Sequence, residues 1–223
     1  ILEIIKTYRN HNPQEVALKL SGKNLPLQMI VQQIEGWQKA KDKLPSWHSI
    51  GYIVFPVRLS IEQCSSETTA KYKAEIVRKG NIIDLTGGFG VDGYYFSKHC
   101  KSVTYIEQNE VLYEIAKHNF NILNARNVVC INGDGLAFLR QSKNSFDTIF
   151  IDPARRSESG KKVFQLADCE PNVTDNLAFL FEKSNQILIK TSPLLDIDKT
   201  IADLRFVKEV HIISVDNECK EVL

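Results

Sequence analysis

A glycine-rich segment is the part of the chain whose residues are best suited to holding a ligand. From Asn81 to Gly93 the sequence reads NIIDLTGGFGVDG, in which an apolar run ends in Asp84 and closely spaced glycines follow. Glycines at this spacing allow the backbone to turn tightly and to lie against a bound molecule. A helix that begins directly after the turn would add free backbone N–H groups. The segment therefore predicts a strand, a ligand-binding turn and a helix.

Two kinds of cofactor use this arrangement. Gly88, Gly90 and Gly93 match the GxGxxG spacing of dinucleotide-binding domains, and Glu107 ends the next predicted strand, where a ribose-binding acid is expected. Asp84 favours S-adenosylmethionine instead, because a carboxylate before the glycines attracts the ammonium of a methionyl group and repels a pyrophosphate. We therefore predict S-adenosylmethionine as the cofactor and keep a nicotinamide or flavin dinucleotide as the alternative.

Further polar residues follow the ends of later predicted strands. Glu107 is expected to accept both hydroxyls of a ribose, Asp134 to accept an adenine amino group, and the N–H of Gly135 to face an adenine ring nitrogen. Ligands of open α/β sheets bind at the carboxyl ends of the strands, so these residues should share one edge. The predicted cofactor-binding residues are Asp84, Gly87, Gly88, Gly90, Glu107, Asp134 and Gly135.

The tetrapeptide Asp152-Pro153-Ala154-Arg155 ends the fourth predicted strand, and a dinucleotide-binding domain has no use for it. Methyl transfer from a sulfonium requires alignment of the acceptor more than activation of the donor. The Asp152 carboxylate and the Pro153 carbonyl can hold the hydrogens of an exocyclic amine so that its lone pair points at the methyl group. Asp152, Pro153 and Arg155 are therefore the predicted catalytic residues.

Basic residues follow this tetrapeptide. Arg155 and Arg156 begin a polar stretch that also contains Lys161 and Lys162. One interpretation is a substrate loop whose basic groups contact RNA phosphates or a base edge. The other is a solvated surface loop, with Arg155 paired to a nearby carboxylate.

Alternating β-like runs and helical patterns begin near residue 81 and predict a mostly parallel α/β sheet of the Rossmann type. The clearest helix is predicted over Asn109–Leu123, with Asn109 as its N-cap. A hairpin through Asp216-Asn217 predicts an antiparallel last strand. The predicted strands are Asn81–Leu85, Ser102–Glu107, Asn127–Asn132, Phe146–Ile151, Gln186–Thr191 and Val210–Val215. We predict that residues 81–223 form this domain.

Residues 1–80 predict a small, mostly helical appendage. Asn12 and Pro13 open one helix, and Leu25–Lys41 supports a second. Tyr52–Phe55 reads as a short strand, and a capping box at Ser60 opens a helix that runs to Arg78. Four residues of this helix are candidate donors to the methionine carboxylate of the cofactor: Ser65, Ser66, Tyr72 and Lys73.

The composition excludes several classes of protein. The formal net charge is +1, which argues against attraction of nucleic acid to the whole surface but leaves room for a local basic patch. The five cysteines form no CxxC pair and the five histidines form no spaced pair, so no metal site or disulfide framework is predicted. No apolar stretch is long enough to span a bilayer, and reduced thiols favour a cytoplasmic protein.

The motifs together resemble a known family. Asp84–Asp92, Glu107, Asp134 and Asp152–Arg156 are similar to class I S-adenosylmethionine-dependent methyltransferases. More narrowly, they and Glu62–Lys73 resemble a bacterial group of methyltransferases that carry a C-terminal THUMP-like domain. Since THUMP domains bind RNA, the resemblance implies an RNA substrate. That domain is absent from these 223 residues, and we expect the chain to continue beyond the strand-like residues at its end.

The acceptor motif has two relatives of different chemistry. Asp152–Arg155 resembles the Asp/Asn-Pro-Pro-aromatic motif of amino methyltransferases, with Ala154 replacing the second proline and Arg155 the aromatic. It also resembles a motif of RNA 5-methyluridine enzymes, which use a cysteine after the fifth strand. Ile189–Pro193 holds no cysteine there, so covalent pyrimidine chemistry is not expected, and Cys169 reads as a packing residue.

These observations together predict a methyltransferase that modifies an exocyclic or ring nitrogen of a nucleobase in RNA. Two alternatives from other classes remain open. One is a dinucleotide-dependent oxidoreductase, and the other is a non-catalytic module that binds RNA or the cofactor.

Overall fold

The computed structural model describes residues 1–155 and 165–223. Its helices are α1 Leu2–Tyr8, α2 Pro13–Leu20, α3 Leu27–Lys43, α4 Pro45–His48, α5 Arg58–Gln63, α6 Glu67–Ile76, α7 Val91–His99, α8 Glu110–Ile122, α9 Gly135–Gln141, α10 Val173–Lys183 and α11 Ile197–Leu204. Its strands are β1 Asn81–Asp84, β2 Ser102–Glu107, β3 Val128–Asn132, β4 Thr148–Ile151, β5 Ala154–Arg155, β6 Cys169–Glu170, β7 Ile187–Ile189, β8 Ile212–Val215 and β9 Glu218–Val222.

A parallel sheet in the order β3-β2-β1-β4-β7 lies at the centre of the described part of the chain. Strand β1 pairs with β2 on one side and with β4 on the other. From β1 the chain continues to β2 and β3 on one side of the sheet and then crosses to β4 and β7 on the other side. Such a change of side opens a crevice at the carboxyl ends of the strands. The predicted α/β sheet is confirmed, and these strands begin and end within two residues of the predicted positions.

The last two strands form a hairpin beside this sheet. Asp216 and Asn217 turn with φ of 52° and 61°, a left-handed pair that suits a two-residue hairpin loop. Strand β9 then runs antiparallel to the end of β7, because the N–H of Thr191 donates to the Val222 carbonyl at 2.7 Å and the Val222 N–H donates back at 3.1 Å. The antiparallel last strand of the prediction is therefore confirmed.

Asparagine caps begin two of the predicted helices as expected. The Asn12 side chain accepts hydrogen bonds from the N–H groups of Gln14 and Glu15 at the start of α2. The Asn109 side chain accepts from the N–H of Leu112 at 3.1 Å and opens α8. Each cap satisfies backbone donors that have no partner inside the helix. None of the helices in residues 1–155 and 165–223 combines the length and apolar character that a membrane crossing requires.

The segment Tyr52–Phe55 is not a strand, which corrects the prediction from its apolar residues. Its backbone is satisfied by side chains. The Asn119 amide accepts from the Val54 N–H at 2.9 Å and donates to the Val54 carbonyl at 2.8 Å, while Gln33 bonds both backbone groups of Phe55. A β-like composition without a neighbouring strand thus gives an irregular segment held by the side-chain amides of Asn119 and Gln33.

Replacing Asn119 by alanine should destabilise the protein by about 2–4 kcal/mol, because the N–H and carbonyl of Val54 would lose their partners in a buried site. Asn119 itself is fully buried. The measurement is urea unfolding, with Asn121→Ala as the control, since Asn121 is exposed on the same helix. Equal stability of the two variants would contradict this account of the segment.

The predicted helix from Ser60 to Arg78 is also corrected, because it is two helices. Helix α5 ends at Gln63, and Cys64 adopts an extended conformation with ψ of 160°. The Ser66 side chain then accepts from the Thr69 N–H at 3.1 Å and caps α6. The capping signal belongs to Ser66, and the break frees the side chain of Ser65 for other contacts.

Aromatic side chains join the N-terminal helices to the glycine-rich turn. The ring of Trp47, which is fully buried, meets Phe89 edge to face with centroids 5.1 Å apart, and Phe55 also packs against Phe89. These residues belong to one hydrophobic cluster that includes Ile82 of β1 and Phe150 of β4. The N-terminal helices therefore support the back of the turn. The boundary at residue 80 stays a prediction.

Candidate functional site

The glycine-rich turn closely follows the expected geometry. Gly88 and Gly90 have φ of +55° and +86°, the left-handed region that glycine adopts without strain, and Gly90 caps α7. A Cβ on Gly87 would lie 2.1 Å from the ring of Tyr105. The Tyr105 hydroxyl donates to the Gly88 carbonyl at 2.5 Å. The turn is thus fixed against β2 and can expose its backbone to a ligand.

Glu107 ends β2 and is anchored by backbone groups. Its Oε2 accepts from the Gly88 N–H and its Oε1 from the Asn109 N–H, each at 2.7 Å. Each carboxylate oxygen can accept two hydrogen bonds, so both retain one acceptor position. The carboxylate is held in place between the turn and α8, and a pair of neighbouring hydroxyls matches its remaining capacity.

Asp134 and Gly135 begin α9 after β3. The Asp134 Oδ1 accepts from the Ala137 N–H at 2.6 Å, and this cap leaves the second carboxylate oxygen available. A Cβ on Gly135 would lie 2.3 Å from the carbonyl oxygen of Leu85, so only glycine allows α9 to approach the turn this closely. The N–H of Gly135 belongs to the first helical turn, where it has no intrahelical partner.

Asp84 ends β1 beneath the floor of the cleft, with 1% of its surface exposed. Its Oδ1 accepts from the Thr86 N–H at 3.0 Å, whereas Oδ2 is buried without a hydrogen-bond partner in the described part of the chain. Burial raises the pKa of Asp84 well above its ordinary value. The Thr86 N–H opposes this shift, and neighbouring carboxylates, first Asp92, add to it. An unpartnered carboxylate oxygen of this kind suits a cationic ligand.

Replacing Asp84 by asparagine should raise the melting temperature of the free protein at neutral pH. The carboxyl has a higher pKa in the folded state than in the unfolded state, so stability falls as the pH rises between those two values. Asparagine removes this dependence. Thermal unfolding across a pH series measures it, with Asp198→Asn on the exposed face of α11 as control. A variant melting below the native protein at every pH would contradict the account.

Asp152 follows β4 and lies at the same edge as the other carboxylates. Its N–H donates to the Thr86 hydroxyl at 2.7 Å, and its Oδ2 accepts from the ammonium of Lys190. The side chain is 35% exposed, so part of the carboxylate faces the cleft. Burial raises the pKa of Asp152, and Lys190 opposes the shift. Pro153 is the next residue in the chain and is half-buried.

Arg155 lies in β5, where its backbone pairs with Cys169 of β6. The position of the Arg155 side chain is outside what the structure describes, and so are Arg156, Lys161 and Lys162. The predicted contact of these basic groups with RNA therefore stays a prediction. Cys169 is buried, with 2% of its surface exposed, in agreement with its interpretation as a packing residue.

A cleft of about 450 Å³ brings most of the predicted residues together. That volume is within the usual range for sites that hold a small molecule. Asp84 lies below this surface, and Pro153 is not part of the lining. Within residues 1–155 and 165–223 no cluster of side chains has the composition of a metal site. The predicted residues in the lining are Gly87, Gly88, Gly90, Glu107, Asp134, Gly135 and Asp152.

Several charged residues of the site were not predicted. Lys190 follows β7 and pairs with Asp152, and Asp92 in the first turn of α7 pairs with Lys73 at 3.1 Å. Lys73 was a candidate donor to the cofactor, but it is fully buried and bonds Ser65 and Glu221 instead. A lysine directly after an apolar strand, at the ligand-binding edge, was the available signal for Lys190.

The residues present fit S-adenosylmethionine. Glu107 offers acceptors for two hydroxyls, Asp134 and the Gly135 N–H offer an acceptor and a donor for adenine, and the glycine turn provides the space that a side chain would fill. The buried oxygen of Asp84 offers an acceptor for the ammonium.

Known proteins resemble the chain over this region. A protein of Porphyromonas gingivalis W83, described provisionally as a methyltransferase, has a crystal structure that matches with a TM-score of 0.84 and 33% identity, over 99% of this chain and 55% of that one. An uncharacterized RNA methyltransferase of Mycoplasma mobile is 38% identical over 34% of this chain and 21% of its own length. A tRNA (guanine(26)-N(2))-dimethyltransferase of Methanosphaera stadtmanae is 27% identical over 54% and 30% respectively.

The chain thus spans about half of the crystallised relative and less than a third of the two others. The family model described as "Conserved hypothetical protein 95" matches residues 63–203, more than half of the chain, and this range includes the turn, Glu107, Asp134, Asp152 and Lys190. The chain therefore belongs to this family, and its sheet is that of a class I S-adenosylmethionine-dependent methyltransferase domain.

Proposed function

We propose that the protein is a methyltransferase that uses S-adenosylmethionine to modify a nitrogen of a nucleobase in RNA. The observation that carries the proposal is the row of carboxylates at the carboxyl edge of the sheet, beside a turn that only glycine can form. Asp84 and Glu107 each end a parallel strand, and Asp152 and Asp134 each closely follow the end of another. A row of negative charge suits an aminoacyl nucleoside cation better than a pyrophosphate.

Each cofactor-binding residue has a proposed partner. Glu107 accepts the ribose hydroxyls, Asp134 the adenine amino group, and the Gly135 N–H faces an adenine ring nitrogen. Asp84 pairs with the ammonium of the methionyl part, and Gly87 to Gly90 provide the close backbone approach. The bound cofactor supplies a methyl group that its sulfonium has already activated.

The acceptor is proposed to be an exocyclic amine, or failing that a ring nitrogen, of a base in RNA. Asp152 and the Pro153 carbonyl hold the amine hydrogens, which directs the lone pair to the methyl group. The name of the M. stadtmanae relative supports this choice, since N2 of guanine is an exocyclic amine. Arg155 and the basic residues after it are proposed to contact the RNA, and the reaction is proposed to take place in the cytoplasm.

Residues 1–80 are proposed to form a separate helical unit that supports the cofactor domain of residues 81–223. The packing of Trp47 and Phe55 on Phe89 supports a role in holding the glycine turn.

The proposal is tested by incubating the full-length protein and labelled S-adenosylmethionine with RNA, DNA and protein from its own host, prepared from cells that lack it. Label is expected in RNA, and digestion to nucleosides should place it on a base. Label in DNA or protein alone would contradict the proposal. Thermal-shift assays with adenosylhomocysteine and with NADH test the cofactor, and stabilisation by NADH alone would favour an oxidoreductase.

A further inference from the structure

A buried network of charges lies under the acceptor end of the cleft. Lys73 donates to the Ser65 hydroxyl at 2.7 Å and to the carboxylate of Glu221, and it lies 3.1 Å from Asp92 Oδ1. The Ser65 hydroxyl in turn donates to Asp92 Oδ2 at 2.7 Å. Thr69 donates to the other oxygen of Glu221 at 2.7 Å. The network joins α6, α7 and the last strand, β9.

Lys190 pairs with Asp152 and interacts electrostatically with Asp92 and Glu221 of this network. Its backbone N–H donates to the Ile151 carbonyl at 2.9 Å, so Lys190 and Asp152 leave the ends of neighbouring strands. Its side chain is 10% exposed and donates to Asp152 Oδ2. Burial alone would lower the pKa of Lys190, but Asp152, Asp92 and Glu221 outweigh burial and raise it. The pKa of Lys190 therefore lies above that of an ordinary lysine, and the side chain is a cation near neutral pH.

The balance of charge in this part of the cleft is negative. In the described part of the chain, two ammonium groups, Lys73 and Lys190, are surrounded by carboxylates that outnumber them. The carboxylates are those of Asp92, Asp152 and Glu221. An excess of buried negative charge favours a cationic donor and an acceptor that becomes positive as it reacts.

We propose that Lys190 is the positioning residue for Asp152 in the methylation of an exocyclic amine, an inference that rests on the proposed function. Lys190 holds Oδ2 of Asp152 and leaves the other oxygen of the carboxylate to the amine hydrogen. Glu221 and Asp92 help to keep Lys190 charged. Asp152 therefore meets the acceptor as an oriented carboxylate in spite of its partial burial.

Methylation of the amine requires only the bound cofactor, the Asp152 carboxylate and water. The amine lone pair forms the new N–C bond while the bond between methyl carbon and sulfur breaks, and sulfur keeps that electron pair. The nitrogen becomes positive beside the Asp152 carboxylate. The proton that it releases passes to Asp152 and then to water, which leaves a neutral methylated amine and the thioether.

The test compares Lys190→Met, Lys190→Arg and the control Lys220→Met in the full-length protein. Lys220 is exposed on β9 and has its charge partner, Glu218, on the same strand. The first readout is the pKa of Asp152, which is measured from the ¹³C chemical shift of its carboxyl group as the pH is varied. The groups that face this carboxyl are Lys190, Asp92, Lys73 and Asp84, of which only Lys190 changes. The pKa should rise in Lys190→Met and stay near the native value in the other two variants.

The second readout is methyl transfer to host RNA across a pH series. Lys190→Met should lower kcat about 10- to 100-fold, because a misplaced acceptor loses alignment, and should shift the acid limb of the profile to higher pH. Lys190→Arg should recover part of the rate, while adenosylhomocysteine affinity should stay native in all three variants. An unchanged pKa of Asp152 in Lys190→Met would overturn the inference, whether or not RNA proves to be the substrate.

The site of methylation separates this inference from a different use of the same lysine. Label on a ribose hydroxyl, lost in Lys190→Met, would assign Lys190 to the activation of that hydroxyl and overturn its role beside an amine. Absence of label from RNA with the native protein would refute the proposed function itself, and the ¹³C measurement would still decide whether Lys190 controls Asp152.

Discussion

Replacing Asp152 by alanine is expected to lower methyl transfer by about 10²- to 10³-fold while leaving adenosylhomocysteine binding within about twofold of native. The carboxylate lines the acceptor side of the cleft and pairs with Lys190, whereas the cofactor contacts proposed above come from β1, β2 and β3. Its loss should therefore remove alignment of the acceptor without removing the cofactor site. Calorimetric titration with adenosylhomocysteine and initial rates with host RNA measure the two effects separately.

Two further variants make this result interpretable. Asp198→Ala removes an exposed aspartate from α11 and should leave the rate and the binding unchanged. Asp152→Asn keeps an oxygen that can accept from an amine and should retain more activity than the alanine variant. Full methylation by Asp152→Ala would show that this carboxylate has no part in catalysis and would favour a role in structure alone.

Replacing Gly135 by alanine is expected to abolish measurable binding of adenosylhomocysteine and to destabilise the protein by about 1–3 kcal/mol. The new Cβ would lie 2.3 Å from the carbonyl oxygen of Leu85 and 2.9 Å from its carbonyl carbon. These are backbone atoms at the end of a central strand, and moving them costs more free energy than moving a side chain. Helix α9 would have to move away from the glycine turn. That movement would displace Asp134 and the Gly135 N–H, which are the proposed adenine contacts.

Gly51→Ala is the matched control, because an added Cβ there meets nothing within 4 Å. It should bind adenosylhomocysteine as the native protein does and should unfold at a similar urea concentration. Native affinity in Gly135→Ala would mean that the adenine lies elsewhere in the cleft, and native stability would mean that α9 is free to shift.

The ligand-binding edge could be predicted from the sequence because its residues follow a local rule. Asp84, Glu107 and Asp152 each end or follow an apolar run, and such runs form parallel strands whose carboxyl ends lie together. The glycines were recognisable for a similar reason, since Gly88 and Gly90 adopt backbone angles that other residues avoid. Local composition was sufficient where a single strand end determines the position of a side chain.

The charge network could not be predicted in the same way, because its partners are distant in the sequence. Lys73 and Glu221 are 148 positions apart, and nothing in the composition of α6 or β9 links them. The sequence offers Lys73 as a candidate donor to the cofactor and gives no sign of its buried partners. Only the packing of α6 against α7 and β9 shows that it is buried among carboxylates.

The corrected segments have the same physical origin. Tyr52–Phe55 has the composition of a strand, but its backbone groups bond to the side chains of Asn119 and Gln33 on two helices. The helix predicted from Ser60 is interrupted at Cys64 because Ser66 offers a better cap for the second half. In both segments, hydrogen bonds to side chains determine the backbone conformation, and residue propensities alone do not predict it.

The proposed functions of the carboxylates also set opposing demands on stability. A buried, unpartnered oxygen on Asp84 costs free energy in the free protein and gains a partner when a cation binds. Binding of adenosylhomocysteine, which carries the same ammonium, should therefore raise the melting temperature of the native protein more than that of Asp84→Asn. Asp84 would then serve ligand binding at the expense of the stability of the free protein.

A crystal structure of the full-length protein with adenosylhomocysteine would test the central claim most directly. We expect the ribose hydroxyls on Glu107, the adenine between Asp134 and the Gly135 N–H, and the ammonium on the side of Asp84, with the sulfur facing Asp152. A ligand bound outside the carboxyl ends of β1, β2 and β3, or one whose ribose has no contact with Glu107, would contradict the account.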